Sequence, residues 1–139
     1  MEKNQSKKQV FSGAATALIT PFDRKGEIDY EAFGRIIEMQ KAAGVSAVVV
    51  NGTTGEASSL TFEERIKNVG FVAEKTNGVF PVIAGTGTNC TAQTIEYTLA
   101  AANAGADAAL VVLPYYNNPG EEGIIAHFYA VADASPVPI

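Results

Sequence analysis

VSAVVVNGTTGEASSL, residues 45 to 60, is an apolar β-branched run that breaks into Gly52-Thr53-Thr54-Gly55-Glu56 and then turns helical. Val45, Val48, Val49 and Val50 predict a strand buried on both faces, as in a parallel sheet flanked by helices. Gly52 and Gly55 permit a tight turn and close backbone approach. Between them, two adjacent hydroxyls sit at the carboxyl end of the strand, ahead of a helix whose free N–H groups favour an anion. Taken alone, the segment is a glycine-rich strand-to-helix loop with threonines as turn formers. Its chemistry also suits a seat for a small carboxylate beside a proton-relaying hydroxyl.

Strand and helix signals alternate on either side of this loop. Ala14 to Thr20 reads as a first strand stopped by Pro21, and Asp29 as the N-cap of a helix through Ala43, with Gly44 as its stop. Strand two runs from Val45 to Val50. Thr61-Phe62-Glu63-Glu64 fits a capping box that opens a helix ending near Gly78. Strand three is Phe80 to Ala84, followed by a helix from Thr91 to Ala104. Strand four is Ala108 to Leu113, followed by a helix from Gly123 to Ala134, and Pro136-Val137-Pro138-Ile139 reads as the entry to a fifth strand. The joint Ala43-Gly44-Val45 is echoed at Ala104-Gly105-Ala106, a helix stop feeding a buried strand each time.

Four strand–helix units and a strand start are half of an eight-unit (β/α) barrel, which typically needs ~250 residues. The inner faces of Ala17, Ile19, Val48, Val50, Val82, Ala84, Leu110 and Val112 are expected to fill that barrel. Residues 1–12 read as a disordered tail and 13–139 as one partial barrel domain that stops inside an apolar segment, where natural domains rarely end. The rival is a flavodoxin-like, doubly wound sheet, which the 139-residue length favours. Gly85-Thr86-Gly87-Thr88-Asn89 would then be its phosphate loop, although residue 90 is cysteine and the segment follows the third strand rather than the first. Periodicity leaves both folds open.

Composition narrows the function. With 47% hydrophobic and 18% charged residues the chain is core-forming, and no apolar stretch approaches a membrane span. A net charge of −5 argues against a nucleic-acid partner, which calls for a basic patch. The single cysteine, Cys90, cannot form an internal disulfide, which fits a reducing cytoplasm. It is expected to be a small semi-buried filler rather than a reactive thiol. All Lys and Arg lie at or before Lys75, so the third and fourth strand ends offer no cation to an anionic substrate.

Gly52-Thr53-Thr54-Gly55-Glu56, with Ala17-Leu18-Ile19-Thr20-Pro21-Phe22, Val82-Ile83-Ala84-Gly85-Thr86-Gly87 and Pro114-Tyr115-Tyr116-Asn117 in the same order, resembles the dihydrodipicolinate synthase family of the N-acetylneuraminate lyase superfamily. The second threonine favours the synthase branch, since the sialic-acid lyases look more like Gly-Ser-Thr-Gly-Glu at that point. The resemblance decides for the half-barrel. It implies a cytoplasmic, homo-oligomeric lyase of lysine and diaminopimelate biosynthesis. The reaction condenses pyruvate with aspartate semialdehyde through a lysine Schiff base, with no cofactor or metal.

The resemblance also assigns residues. Thr54 matches the threonine that binds the pyruvate carboxylate, and Thr53 a hydroxyl that touches substrate within a proton relay. Tyr116 matches the relay tyrosine that reaches into a neighbouring subunit's site, and Tyr115 its packing neighbour at that interface. Asn89 and Tyr115 match kept members of a lysine-effector pocket. Phe62, Gln93 and Arg65 replace its histidine, glutamate and second histidine, which implies loss of lysine feedback. The Schiff-base lysine lies beyond Ile139 in the family and is absent here. Two alternatives stay open: another pyruvate-dependent aldolase of the superfamily, and a non-catalytic binding or interaction domain.

Two further titratable residues read as structural. Glu56 is expected to bond the loop backbone rather than act as a base. His127, the only histidine, reads as a surface or partly buried helix residue, with no carboxylate or cysteine at ligand spacing.

Overall fold

The computed structural model describes residues 9–139. The expected tail at residues 1–8 therefore lies outside the described residues, and residues 9–14 carry no strand or helix. The elements alternate as expected. They are β1 (Ala15–Ala17), α1 (Tyr30–Ala43), β2 (Ala47–Val50), α2 (Phe62–Thr76), β3 (Val82–Gly85), α3 (Thr91–Asn103), β4 (Ala108–Leu110) and α4 (Gly120–Ala134). Two short 3₁₀ turns, Thr53–Gly55 and Ala57–Ser59, bridge β2 and α2.

The helix boundaries follow the chemistry of their ends. Asp29 accepts the Ala32 N–H at 2.8 Å to open α1, and Gly44 closes it in the left-handed conformation. The capping box of α2 forms in full: Thr61 Oγ1 takes the Glu64 N–H, and the Glu64 carboxylate takes the Thr61 N–H at 2.7 Å. This helix ends one residue earlier than its glycine suggests, with Asn77 at φ +48°. α4 begins three residues before the expected Gly123. Pro119, at φ −74°, leads straight into its first turn.

The sheet is parallel in the order β1-β2-β3-β4. A flavodoxin-like sheet would place the first strand between the second and third. Here β1 pairs with β2 and lies at the edge of the sheet. Successive helices pack on one another, α1 on α2, α2 on α3 and α3 on α4, as a single layer. The strand order and the single helix layer are those of a (β/α) barrel. After α4 the chain returns beside β4, where the Pro138 carbonyl accepts the Ala109 N–H at 2.9 Å, the place of a next strand.

One expectation about the faces is overturned. Val48, Val50, Val82 and Ala84 do not line the barrel interior. With Leu18 they face the helices and form the core with Phe33 and Ile37 of α1 and Val69 and Val72 of α2. The opposite face carries Ala17, Val49 and Ile83, in register across three strands, with Ile19 and Leu110 exposed beside them. β2 is apolar on both faces, so its sequence marks a buried strand without telling which parity meets the helices.

Candidate active site

The carboxyl ends of the strands are knitted together by close backbone contacts. After β2, Asn51 takes φ +56° and turns the chain into the Thr53–Gly55 turn. The Thr20 hydroxyl, just past β1, donates to the Gly55 carbonyl at 2.7 Å. From β3, Gly85 presses on the same place: a methyl group on its Cα would lie 2.0 Å from the Asn51 carbonyl oxygen. A methyl group on Gly87 would lie 2.4 Å from the Val112 nitrogen. These glycines are where strand ends touch. Gly85-Thr86-Gly87 is therefore a packing device, and the phosphate-loop reading falls with the flavodoxin-like fold.

Among these ends lies a cleft of about 480 Å³, lined in part by Gly52, Thr53, Arg65, Gly85, Leu110 and Tyr115. Thr53 and Tyr115, 62 positions apart in sequence, thus share one cavity. Thr54 is exposed on the same turn. Tyr116 is 100% exposed and lies at φ +72°, with the Asn117 N–H donating to the Tyr115 carbonyl at 2.9 Å across it. That is a γ-turn of the rare, strained hand, a conformation kept only where the surroundings enforce it.

The residue that follows Tyr116 is tied to a neighbouring loop. Asn117 Nδ2 donates to the Asn89 carbonyl at 3.1 Å. Asn89 sits in a loop pinned to α3 by buried hydroxyls: Thr98 Oγ1 donates to Thr86 Oγ1 at 2.9 Å, and the Thr88 N–H to Thr94 Oγ1 at 3.0 Å.

Arg65 is buried, with Nη2 donating to the Gly85 carbonyl at 2.8 Å and its guanidinium 3.8 Å over the Tyr97 ring. Phe62 packs on that same ring at 5.1 Å, while Gln93 is exposed. Beneath the loop run Asn51, Asn68 and Tyr30, linked side chain to side chain. Burial, and after it the nearby Glu64 carboxylate, push the Tyr30 phenol above its ordinary range, so it stays a donor to Asn68. The sequence did carry a signal for Arg65 and Asn68. Arg65, Val69, Val72 and Thr76 fall at helical spacing on the buried face of α2, with Asn68 beside them.

Four expectations change. Arg65, reaching over from α2, brings a cation to the end of β3 and into the cleft, where none was expected because no Lys or Arg follows Lys75. The Glu56 side chain is exposed and forms no hydrogen bond among the described residues; the residue shapes the loop through its own backbone, at φ +55°. Cys90 is exposed at the start of α3 rather than semi-buried, because the buried volume there is taken by Thr88 and Thr94. His127 is 3% exposed, deeper than a surface residue, and its Nδ1 lies 2.9 Å from Thr91 Oγ1, tying α4 to α3. The described lysines, Lys25, Lys41, Lys67 and Lys75, lie on a loop, α1 and α2, outside the strands and the cleft. Among the described residues no helix is long and apolar enough to cross a membrane, and no cluster of three or more His, Cys, Asp or Glu is placed to hold a metal.

Residues 10–139 match the model of the dihydrodipicolinate synthetase family. The chain belongs to that family. A 4-hydroxy-tetrahydrodipicolinate synthase of Exiguobacterium sibiricum is 55% identical over 130 residues, 94% of this chain and 44% of the relative. One of Aquifex aeolicus is 48% identical over the same shares. The crystal structure of a Bacillus anthracis dihydrodipicolinate synthase superposes with a TM-score of 0.90 at 42% identity, over 92% of this chain and 44% of that one. A pyruvate complex of the Acinetobacter baumannii enzyme gives 0.91 at 40% identity, over 94% and 44%. The chain thus spans less than half the length of the family members it matches, and its fold is that of their N-terminal part.

Proposed function

We propose that this chain supplies the N-terminal half of a synthase that condenses pyruvate with aspartate semialdehyde through a lysine Schiff base. The observation that carries this reading is the shared cleft of Thr53 and Tyr115 at the carboxyl ends of parallel barrel strands, where enzymes of this architecture place their sites. In this reading Thr54, with its backbone N–H, holds the pyruvate carboxylate. The Thr53 hydroxyl touches the substrate and passes protons as one link of a hydrogen-bonded chain, the only setting in which an unactivated hydroxyl can do so. Tyr116, free of its own chain, completes that relay in a neighbouring protomer, and Tyr115 packs beside it. The imine-forming lysine belongs to the other half of the barrel, so the 139-residue chain alone is inactive.

The test joins residues 1–139 to the C-terminal half of the Aquifex aeolicus relative. Turnover of pyruvate with aspartate semialdehyde is expected. Turnover with N-acetylmannosamine in its place would move the protein to another aldolase branch of the superfamily.

The same completed enzyme is expected to ignore lysine. A lysine effector needs carboxylate or imidazole partners for its ammonium groups. Here Arg65 sets a guanidinium at one such position, and Phe62 and Gln93 are uncharged. Losing one charge-assisted bond alone removes ~1.5–3 kcal/mol. Rates with and without sub-millimolar lysine should coincide, and inhibition there would contradict the assignment of the pocket.

The 139-residue chain is also expected to self-associate. Its uncovered sheet face and rim expose Ile19, Leu110, Val112 and Leu113, each about half exposed, beside Tyr115 and Tyr116. An apolar surface of that kind marks an interaction site. Sedimentation at micromolar concentration should show a dimer or larger species, and a dispersed monomer would count against it.

A further inference from the structure

Asn51, the residue before Gly52-Thr53-Thr54-Gly55, combines two uncommon properties. It is a polar side chain only 3% exposed, and it holds the left-handed conformation, which asparagine tolerates better than most residues other than glycine. Both ends of its amide are engaged. Nδ2 donates to the Arg65 carbonyl at 2.8 Å, and Oδ1 accepts from Asn68 Nδ2 at 3.3 Å. Asn68, fully buried, accepts in turn from the Tyr30 hydroxyl at 2.9 Å. A string of neutral polar groups therefore runs from α1 through α2 to the base of the loop. Buried networks of this kind are unfavourable when partly satisfied and fix one conformation when fully satisfied.

We propose that Asn51, braced by Asn68 and Tyr30, is a positioning residue that sets the conformation of the Gly52–Gly55 loop and so the placement of Thr53 and Thr54; the proposal rests on the functional reading given above. Asn51 borders the cleft, but both ends of its side-chain amide are turned to Arg65 and Asn68. It acts through the two threonines that follow it, and its carbonyl packs closely against Gly85. A glycine at 51 would supply the backbone angle and lose both amide bonds. An aspartate would turn an acceptor toward the Arg65 carbonyl, which only a donor satisfies. The amide is the group that meets both neighbours.

The first test is hydrogen exchange on the 139-residue chain. Asn51→Gly and Asn68→Ala should speed exchange of amides 52–60 by about tenfold or more while leaving amides 82–85 unchanged. Tyr30→Phe, which removes only the outermost hydroxyl, should act in the same direction with smaller size, and it keeps the test open if a buried-asparagine variant fails to fold. In the completed enzyme Asn51→Gly should raise the KM for pyruvate about tenfold, since a displaced carboxylate seat weakens binding and alignment. Equal acceleration in every segment would reduce the network to general stability and overturn the proposal. So would unchanged loop exchange, or an unchanged KM in a loosened loop. If the wild-type completed enzyme does not use pyruvate, the functional reading fails, while the exchange measurement still decides what anchors the loop.

Discussion

Gly85→Ala is expected to leave almost no folded protein. Its added methyl group would lie 2.0 Å from the Asn51 carbonyl oxygen, 2.6 Å from the carbonyl carbon and 3.0 Å from the Gly52 nitrogen. All three are backbone atoms at the junction of β2 with the threonine loop, so no side chain can swing aside. The penalty should exceed the ~1–3 kcal/mol usual for an overpacked methylene. It falls on a domain whose whole stability is ~5–15 kcal/mol. Gly34→Ala, in the middle of α1, is the matched control. There the nearest atoms to a new methyl group are side-chain carbons of Phe71 and Lys75, at 3.8 and 3.9 Å, and the backbone is helical. It should gain up to ~1 kcal/mol from helix propensity. Thermal unfolding and soluble yield of the two variants should therefore move in opposite directions, and a stable Gly85→Ala protein would contradict the packing described here.

Thr53→Val in the completed enzyme should lower kcat by about 10²-fold or more, the scale of a lost proton-transfer group. The substitution keeps the β-branched shape and removes only the hydroxyl. Thr53 lines the cleft, whereas the carboxylate seat is assigned to Thr54, so KM for pyruvate should change much less than kcat. Thr53→Ser, which retains the hydroxyl, should recover most of the rate. Equal loss in the serine and valine variants would mean that Thr53 shapes the loop and carries no proton.

Much of the fold was legible because its signals are local. Asp29, Gly44, Thr61 and Glu64 cap helices through contacts within four residues of themselves, and each does so in the structure. Strand order was not legible: adjacent parallel strands leave no mark on one another's sequence, and the barrel and flavodoxin-like plans share one alternation of elements. The facing of β2 was misread for a related reason, since a run of valines carries no parity. The threonine loop announced itself through its glycines. Its support did not, because Asn51, Asn68 and Tyr30 are joined across 17 and 38 positions of sequence. The Asn-Gly step at 51–52 gave a turn signal, and Arg65 lay at the spacing of a buried helix face; both clues were present, and neither named its partner. Cys90 was misplaced because nothing in the sequence shows that threonines fill the space behind it.

Borohydride trapping with pyruvate tests the central claim most directly. The 139-residue chain should gain no stoichiometric mass adduct on any lysine. The same chain joined to the C-terminal half of the Aquifex aeolicus relative should gain one adduct per chain, on a lysine of the added half. A stoichiometric adduct on Lys25, Lys41, Lys67 or Lys75 of the short chain, or none on the completed one, would contradict the assignment of this chain as the substrate-binding half of a Schiff-base synthase.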